Sequence, residues 1–442
     1  MTVWFSVMGI SIWSARFVAI LTIVAIACFT YLACRQASKH APSSALVAIG
    51  WAVMSQGFWT QVSYNWFTTL FSMVAAWAVL ASIEKPQQWR PLLAGLAAGA
   101  AAMVIPTRGA LAMLAAAASL VDSRKTKLIA FAIGSAVLPI CLLVYVIAQG
   151  AFVAAFHNLT FAATRHVAVA SVPFGYMPDN QNRPLKYLFP FVALLTIMIC
   201  ARDWWASIHD RLLRSCVAFG IAGFIGCFPR PDMAHIAFTA PLACPLLTYC
   251  ANRIFTSWPR MCRYAFAALL ITLSIPSAAV LSSIAYNNVV GGQFVDTPRG
   301  LVMVVNDEMR ELRRLIPRMA DTPSSDRYFF YPFMPMLAFL TAREHVSNYD
   351  ILVPGYTTPS QYQEACTSAL RRASWVVVDR TWTDPNFLTL IYPAMRAGKP
   401  RETKAFELAL QNGFEFVARD GPFELRRRVK TVDESICAGI VN

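Results

Sequence analysis

A short turn between two apolar segments holds the densest group of chemically capable residues in the first two thirds of the chain. The run FPRPDMAH places Arg230, Asp232 and His235 at the edge of the apolar region. Arginine offers a planar fork of donors that suits phosphate oxygens, and a neighbouring aspartate could orient a hydroxyl or take a proton. The structural alternative is a salt bridge within the loop, with Asp232 capping the next helix.

Other basic residues on the same predicted face extend this group. Arg108 follows a Pro-Thr pair between two short apolar segments, and two arginines facing one lip of a helical bundle suit a lipid phosphate. We predict phosphate binding by Arg108, Arg230, His235 and Arg165, with Asp232 as the catalytic residue. For Arg165 the structural alternative is a side chain that reaches to the water interface from an amphipathic stretch.

The composition divides the chain into two parts that must position these residues. Hydrophobic residues make up 57% of the sequence, charged residues 14%, and the mean hydropathy is +0.49. Residues 1–285 carry 19 Lys/Arg and 6 Asp/Glu, whereas residues 286–442 carry 19 and 18. We predict a polytopic α-helical membrane domain over 1–285 and an extracytoplasmic α/β domain over 286–442. The positive excess lies among membrane spans, where topology explains it, and this argues against a nucleic-acid partner.

Ten apolar segments predict about ten transmembrane helices. They are 13–33, 43–58, 66–82, 92–105, 109–121, 128–148, 187–201, 215–229, 236–251 and 264–285. Pro106-Thr107-Arg108 separates the fourth from the fifth, which are either two short spans or one broken helix.

Loop charges predict the orientation of these spans. The loops at 34–42, 83–91, 122–127, 202–214 and 252–263 carry 13 Lys/Arg, and the alternate loops carry 5. Since Lys and Arg accumulate on the cytoplasmic side, the N-terminus and the tail are predicted outside. Of the outer acids, Asp179 lies in a turn-rich loop that would hold it loosely, so Asp232 is preferred. Few ionisable residues fall in the middle of a span, which argues against a transport path.

The tail reads as a small α/β domain. We predict helices over 296–318, 335–345, 360–373 and 401–412, buried strands over 327–332 and 375–379, and a hairpin over 414–428 around Asp420-Gly421. Cys366 and Cys437 either form a disulfide or stay unpaired. No cysteine or histidine spacing typical of a metal site occurs.

Several segments resemble the GT-C glycosyltransferases that take sugars from polyprenyl-phosphate carriers, the broad group of protein mannosyltransferases and aminoarabinose transferases. They are GISIWSARFVAILTIVAIACFTYLACR (9–35), GLAAGAAAMVIPTRGALAML (95–114), the R-x-D-x-x-H turn at Arg230, Asp232 and His235, and the tail from RYFFYP through SWVVVD. The likeness covers most of residues 5–428.

The resemblance implies an inverting transferase of the cell envelope, in the bacterial inner membrane. It implies a polyprenyl-phosphate-linked sugar as donor, a membrane lipid, glycan or protein as acceptor, and a divalent metal ion as the one cofactor to consider. The group carries an acid in its first outer loop, but residues 1–12 contain none. We therefore expect that the N-terminal span and first outer loop are missing. Either the chain is truncated or its start is misplaced, or it works with another subunit, or it is inactive.

Two other functions stay open. The first is a non-catalytic membrane scaffold or glycan-binding partner subunit, which a separate catalytic partner would favour. The second is a lipid-linked sugar transporter. An acidic first loop encoded upstream would favour the transferase.

Overall fold

Each of the ten predicted apolar segments contains a helix in the computed structural model. The helices that precede the first strand are α1 Thr2–Met8, α2 Ile12–Ser38, α3 Ala41–Gln56, α4 Tyr64–Glu84, α5 Trp89–Val104, α6 Pro106–Leu120, α7 Lys125–Ala148, α8 Phe152–Phe161, α9 Val167–Ala170, α10 Arg183–Lys186, α11 Leu188–Arg202, α12 Trp204–His209, α13 Arg211–Ile225, α14 Met233–Thr239, a 3-10 helix Ala240–Ala243, α15 Cys244–Thr256 and α16 Arg260–Gly291. The structure describes residues 2–56, 62–84, 87–161, 164, 167–176, 183–202, 204–256, 260–304, 310–395, 399–429 and 434–440.

Within those residues, five helical stretches are by themselves long and apolar enough to cross a membrane. They are Ile12–Ser38, Tyr64–Glu84, Lys125–Ala148, Met233–Ile254 and Tyr264–Gly291. Trp89–Val104 and Leu188–Arg202 are apolar but shorter. The predicted fold class, a polytopic α-helical membrane protein with an α/β domain at its C-terminal end, is confirmed.

The chain divides into two compact units. Arg16–Thr160 and Val172–Ser283 form the first, which we call the helical unit. Met1–Ala15, Phe161–Ser171 and Ile284–Asn442 form the second, which we call the α/β unit. Composition did not indicate that the first fifteen residues belong with the tail.

The two short segments around Pro106 form two helices. Ile105 lies between them in an extended conformation, with φ −135° and ψ 100°, and proline occupies the first position of α6. A Cβ at Gly109 would lie 2.1 Å from Ala102 Cα, so α6 turns back sharply against the end of α5. This turn places Arg108 in the first turn of α6.

Helices α5 and α7 pack backbone to backbone through glycines. A Cβ at Gly95 would lie 2.2 Å from the oxygen of Phe131, and one at Gly134 would lie 2.3 Å from the oxygen of Leu92. Gly99 makes a similar approach to Ser135. Small residues at such spacing let two helices in a membrane approach closely.

Loops predicted on the cytoplasmic side contact one another. Hydrogen bonds or ion pairs join Lys39 to Glu84, Lys127 to Ser82, Arg214 to Asp122 and Arg211 to Ser123. Four of the five basic loops therefore meet at one end of the helical unit, as alternating spans require.

The α/β unit contains two small sheets. The strands are β1 Gln293–Val295, β2 Val302–Val304, β3 Tyr328–Tyr331, β4 Trp375–Asp379, β5 Phe414–Asp420 and β6 Phe423–Arg428, and the helices are α17 Leu312–Ala320, α18 Pro335–Thr341, α19 Pro359–Arg372, α20 Arg380–Thr383, α21 Pro385–Ile391 and α22 Arg401–Gly413. The larger sheet has the order β3-β4-β6-β5, in which β3 and β4 are parallel and the other pairs antiparallel.

Alternating residues of this sheet face two separate cores. Phe329 and Val376 pack with α19 and α22 on one face, whereas Phe330 and Val377 pack with α17 on the other. Because β3 is covered on both sides, all four of its residues are buried. The predicted strands, the hairpin at Gly421 and the helices after residue 335 are all present.

The prediction of one helix over 296–318 is wrong in its first part. Thr297-Pro298-Arg299-Gly300 forms a turn closed by a 2.9 Å hydrogen bond from the Gly300 nitrogen to the Thr297 oxygen, and β1 pairs with β2 across it. Gly300 has φ +108°, a value that other residues rarely adopt. Proline and glycine at these positions are a turn signature that outweighs the helical pattern.

Side chains also cross-link the α/β unit. Cys366 of α19 and Cys437 form a disulfide, which decides between the two alternatives left by the sequence. Buried Glu424 of β6 accepts hydrogen bonds from Arg380, at 2.7 Å, and from Arg426, at 3.1 Å. The segment before Arg16 joins this unit through a 3.0 Å hydrogen bond from the Ile12 nitrogen to the Arg299 oxygen.

Candidate functional site

Asp232 starts helix α14 at the turn that the sequence singled out. Its backbone is extended, with φ −76° and ψ 173°, and its Oδ1 accepts a 2.9 Å hydrogen bond from the His235 nitrogen. An aspartate in this position satisfies a main-chain donor that the helix itself leaves unpaired. The capping role foreseen as the structural alternative is therefore real, and it fixes the carboxylate in place.

The same carboxylate holds both neighbouring side chains. Arg230 Nε donates to Asp232 Oδ2 over 2.6 Å, and His235 Nδ1 lies 2.7 Å from Asp232 Oδ1. Arg230, Asp232 and His235 side chains are 16%, 14% and 24% exposed, so the group is largely shielded but still open to solvent. We call these three residues the RDH cluster.

The environment of Asp232 favours its charged form. Burial alone would raise the pKa of Asp232, but the hydrogen bonds and charge of His235, together with the hydrogen bond from Arg230, lower it below the ordinary aspartate value. Asp232 is consequently a carboxylate at neutral pH, and a weak proton acceptor.

A segment of the preceding loop, which the sequence predicts outside, supports the turn. The Gly175 nitrogen donates to the Pro231 oxygen over 2.7 Å, and the Met233 nitrogen donates to the Tyr176 oxygen over 3.3 Å. Tyr176 and Asp232 thus form a short parallel bridge. The backbone of the RDH cluster is held from outside its own turn.

Arg108 reaches this region from α6. Its Nε donates to the Gly226 oxygen over 2.9 Å, its Nη1 donates to Asn65 Oδ1 over 2.7 Å, and its guanidinium lies 5.9 Å from the centre of the Phe238 ring. Its charge also interacts with that of Asp232. Arg108 therefore ties three helices together beside the RDH cluster and adds a positive charge there.

Deeper residues position α14 itself. The indole of Trp51 donates to the Ala237 oxygen over 3.0 Å, and Thr69 Oγ1 donates to the Phe238 oxygen over 2.6 Å. The Trp66 ring stands edge-on to that of Phe238, with their centres 4.5 Å apart. Helices α3 and α4 thereby fix the helix that presents His235.

The structure brings four of the five predicted site residues together. Arg108, Arg230, Asp232 and His235 lie in one region, whereas Arg165 falls outside the described residues, as does Asp179. Asn65 was not predicted. The sequence offered one signal for it, a polar amide in the first turn of an apolar helix.

The described cluster does not suit a metal ion. No group of three or more His, Cys, Asp or Glu in the described part of the chain is placed to hold one. Asp232 has both carboxylate oxygens engaged by Arg230 and His235. These residues therefore do not fit the divalent ion considered from the sequence.

No protein-family model matches the sequence, and no curated protein matches it. The chain is similar to several solved structures, two of which are as follows. The cryo-EM structure of arabinofuranosyltransferase AftD from Mycobacteria has 14% identity and a TM-score of 0.49, over 97% of this chain and 35% of that chain. The crystal structure of ArnT from Cupriavidus metallidurans in the apo state has 12% identity and a TM-score of 0.48, over 98% of this chain and 86% of that chain.

Both solved proteins are GT-C glycosyltransferases, the class that the sequence resemblance names. This chain spans about a third of the length of the AftD chain. Identities and TM-scores this low say nothing of the sugar, the acceptor or the catalytic groups of this chain.

Proposed function

We propose that this integral membrane protein is a glycosyltransferase that acts at the outer membrane face. In this proposal it transfers a sugar from a polyprenyl-phosphate carrier to a hydroxyl of a lipid, glycan or protein. The observation that carries the proposal is the RDH cluster: a shielded, mutually bonded set of an arginine, a carboxylate and an imidazole between two apolar helices.

Charge favours an anionic ligand at this position. The described residues of this region include two cations, Arg108 and Arg230, and one anion, Asp232. When His235 is counted as neutral, their formal net charge is +1. A phosphate that joins a prenyl chain to a sugar carries one negative charge. The attraction between this phosphate and a largely buried guanidinium offsets the free energy that is lost when both charges leave water.

Each residue then has a distinct role. Arg230 contacts the carrier phosphate, since its guanidinium suits phosphate oxygens and its side chain is partly open to solvent. Arg108, already bonded to Gly226 and Asn65, contributes positive charge beside it. Asp232 and His235 orient the acceptor hydroxyl. The proposal keeps two expectations from the sequence. Arg165 also binds the carrier phosphate, and the α/β unit lies outside the cytoplasm.

Binding of a short carrier tests the phosphate role. The full chain is placed in nanodiscs, and its affinity for farnesyl phosphate is compared with that for inorganic phosphate. Arg230→Lys and Arg230→Ala should weaken farnesyl phosphate binding about tenfold to 150-fold, since a charge-assisted hydrogen bond contributes about 1.5–3 kcal/mol. Arg124→Lys, in an exposed loop on the predicted cytoplasmic side, is the matched control. Unchanged affinity in folded Arg230→Ala protein would remove this role.

Transfer is measured with the same protein. Synthetic farnesyl-phosphate mannose and farnesyl-phosphate arabinose serve as donors, and mass spectrometry follows the loss of sugar from the carrier to added glycans, lipids or water. Turnover that depends on Arg230 supports a transferase. Binding of the carrier with no turnover from either donor would contradict it and favour the scaffold or glycan-binding role.

A further inference from the structure

We infer that His235 accepts the proton of the acceptor hydroxyl through Nε2, and that Asp232 is a positioning residue for it. This inference rests on the proposed transferase function. It reassigns the two residues, because the sequence pointed to Asp232 as the catalytic group and to His235 as a phosphate ligand.

The hydrogen bonds of Asp232 argue against its acting as the base. Asp232 Oδ1 accepts a hydrogen bond from the His235 main-chain nitrogen and also lies against His235 Nδ1. Asp232 Oδ2 accepts a hydrogen bond from Arg230 Nε. Protonation of either oxygen would weaken the hydrogen bonds that it accepts, and on Oδ1 these include the cap of α14. Its lowered pKa points the same way, since a carboxylate held in its charged form is a poor acceptor.

The same bonds prepare His235 for that role. A carboxylate can only accept, so in the neutral form of the imidazole the 2.7 Å contact selects the tautomer with hydrogen on Nδ1 and the lone pair on Nε2. No hydrogen bond to Nε2 occurs within the described residues. The imidazole ring stands edge-on to the Phe238 ring, with their centres 5.9 Å apart, and the His235 side chain is 24% exposed. The ring is therefore held in orientation and remains accessible.

Other titratable groups around the cluster do not offer a better acceptor. Arg230 and Arg108 have no lone pair to give. The Cys227 thiol is hydrogen-bonded to Thr239 Oγ1 at 2.9 Å, and Tyr64, whose charge interacts with that of Arg108, offers only a phenol oxygen. Among the described groups around the cluster, His235 is the one imidazole, and it is both held in position and partly exposed.

The reaction then balances with groups already named. The acceptor oxygen bonds to the anomeric carbon as the bond from that carbon to the carrier phosphate breaks, with inversion. The hydroxyl proton passes to His235 Nε2, and the polyprenyl phosphate leaves with the bonding electron pair. Asp232 stabilises the imidazolium, which afterwards returns its proton to water.

The test is the pH dependence of turnover by the full chain, with the farnesyl-phosphate donor that supports transfer. His235→Asn keeps an amide donor toward Asp232 but removes the base, and should lower kcat about 100-fold to 10,000-fold and abolish the acid limb of the kcat profile. Farnesyl phosphate binding should stay within threefold. Asp232→Asn should lower kcat and move the acid limb to lower pH, because the imidazolium loses its counter-charge. His40→Gln, an exposed histidine bonded to Ser43, should match wild type.

His235→Gln repeats the experiment if His235→Asn fails to fold. Turnover within threefold of wild type and an unchanged acid limb in either folded variant would overturn the inference while the transferase stands. An acid limb that persists in the His235 variants and disappears in Asp232→Asn would make Asp232 the base. No turnover by wild-type protein would instead overturn the proposed function.

Discussion

The indole nitrogen of Trp51 donates a hydrogen bond to the main-chain oxygen of Ala237, 186 residues further along the chain. In a regular α-helix that oxygen would pair with the nitrogen of residue 241, which is a proline and has no N–H. Trp51 therefore supplies the donor that Pro241 removes. Thr69 does the same for Phe238, whose 3-10 partner would also be residue 241.

Trp51→Phe should destabilise the helical unit by about 1–2 kcal/mol, because the buried oxygen of Ala237 loses its donor. Calorimetric unfolding in detergent measures the change. Trp204→Phe is the control, since that side chain is 61% exposed. In a Pro241→Ala background, Trp51→Phe should cost clearly less, because the introduced alanine has an N–H that can donate to the same oxygen; an equal cost in both backgrounds would disprove the pairing.

Residues 202–214 should lie in the cytoplasm and residues 300–442 outside. Loop charges give this orientation, and an oxidising exterior also suits the disulfide. Ala206→Cys and Ser325→Cys, each in a chain whose free cysteines are replaced, are treated with a membrane-impermeant maleimide in whole cells. We expect Ser325→Cys to react at once and Ala206→Cys only after lysis. The reverse pattern would put the α/β unit in the cytoplasm and the RDH cluster on the wrong side for the proposed function.

Removing the disulfide should destabilise the α/β unit by about 2–4 kcal/mol, because its two cysteines are 71 residues apart and close a long loop. Proteolysis of the full chain in detergent, with and without reductant, measures this. A Cys366→Ser/Cys437→Ser protein should be cleaved as fast as the reduced wild type, and reductant should have no further effect on it. Equal resistance of all samples would mean that the link contributes nothing to stability.

Glu424 should make the α/β unit sensitive to acid. Burial alone would raise the pKa of Glu424, but hydrogen bonds and charge from Arg380, and then from Arg426, lower it below 4.5. The folded form keeps its charge where the unfolded chain is already protonated. This stabilisation is thus complete above the unfolded pKa and is lost as pH falls through the folded pKa.

Calorimetry of the full chain between pH 3 and 6 checks this sign. Glu424→Gln should be less stable at pH 6 and should lose less stability on acidification than wild type. Glu415→Gln changes an exposed carboxylate on the adjacent strand and should follow the wild-type curve. Parallel curves for Glu424→Gln and wild type would contradict the expectation.

Local sequence predicted most elements, and long-range contacts account for what it missed. Apolar runs give the helices, and Asp420-Gly421 gives the hairpin, because neighbouring residues decide each. The RDH cluster was recognisable because its residues lie within six positions. Asn65 and Trp51 were not, since their partners, Arg108 and Ala237, are remote in sequence. The turn at Pro298 and Gly300 is an exception, because its proline and glycine are local turn signals that the prediction of one helix passed over.

The glycine contacts between α5 and α7 limit how the helical unit can move. Turning helix α5 about its axis by one residue position, about 100°, would bring the side chain of Leu96 or Ala98 to a point where only a hydrogen now fits. Gly134 blocks the same turn from the other side. Helices α5 and α7 therefore move as one rigid pair. Any opening that admits a long lipid tail has to form between other helices of the bundle.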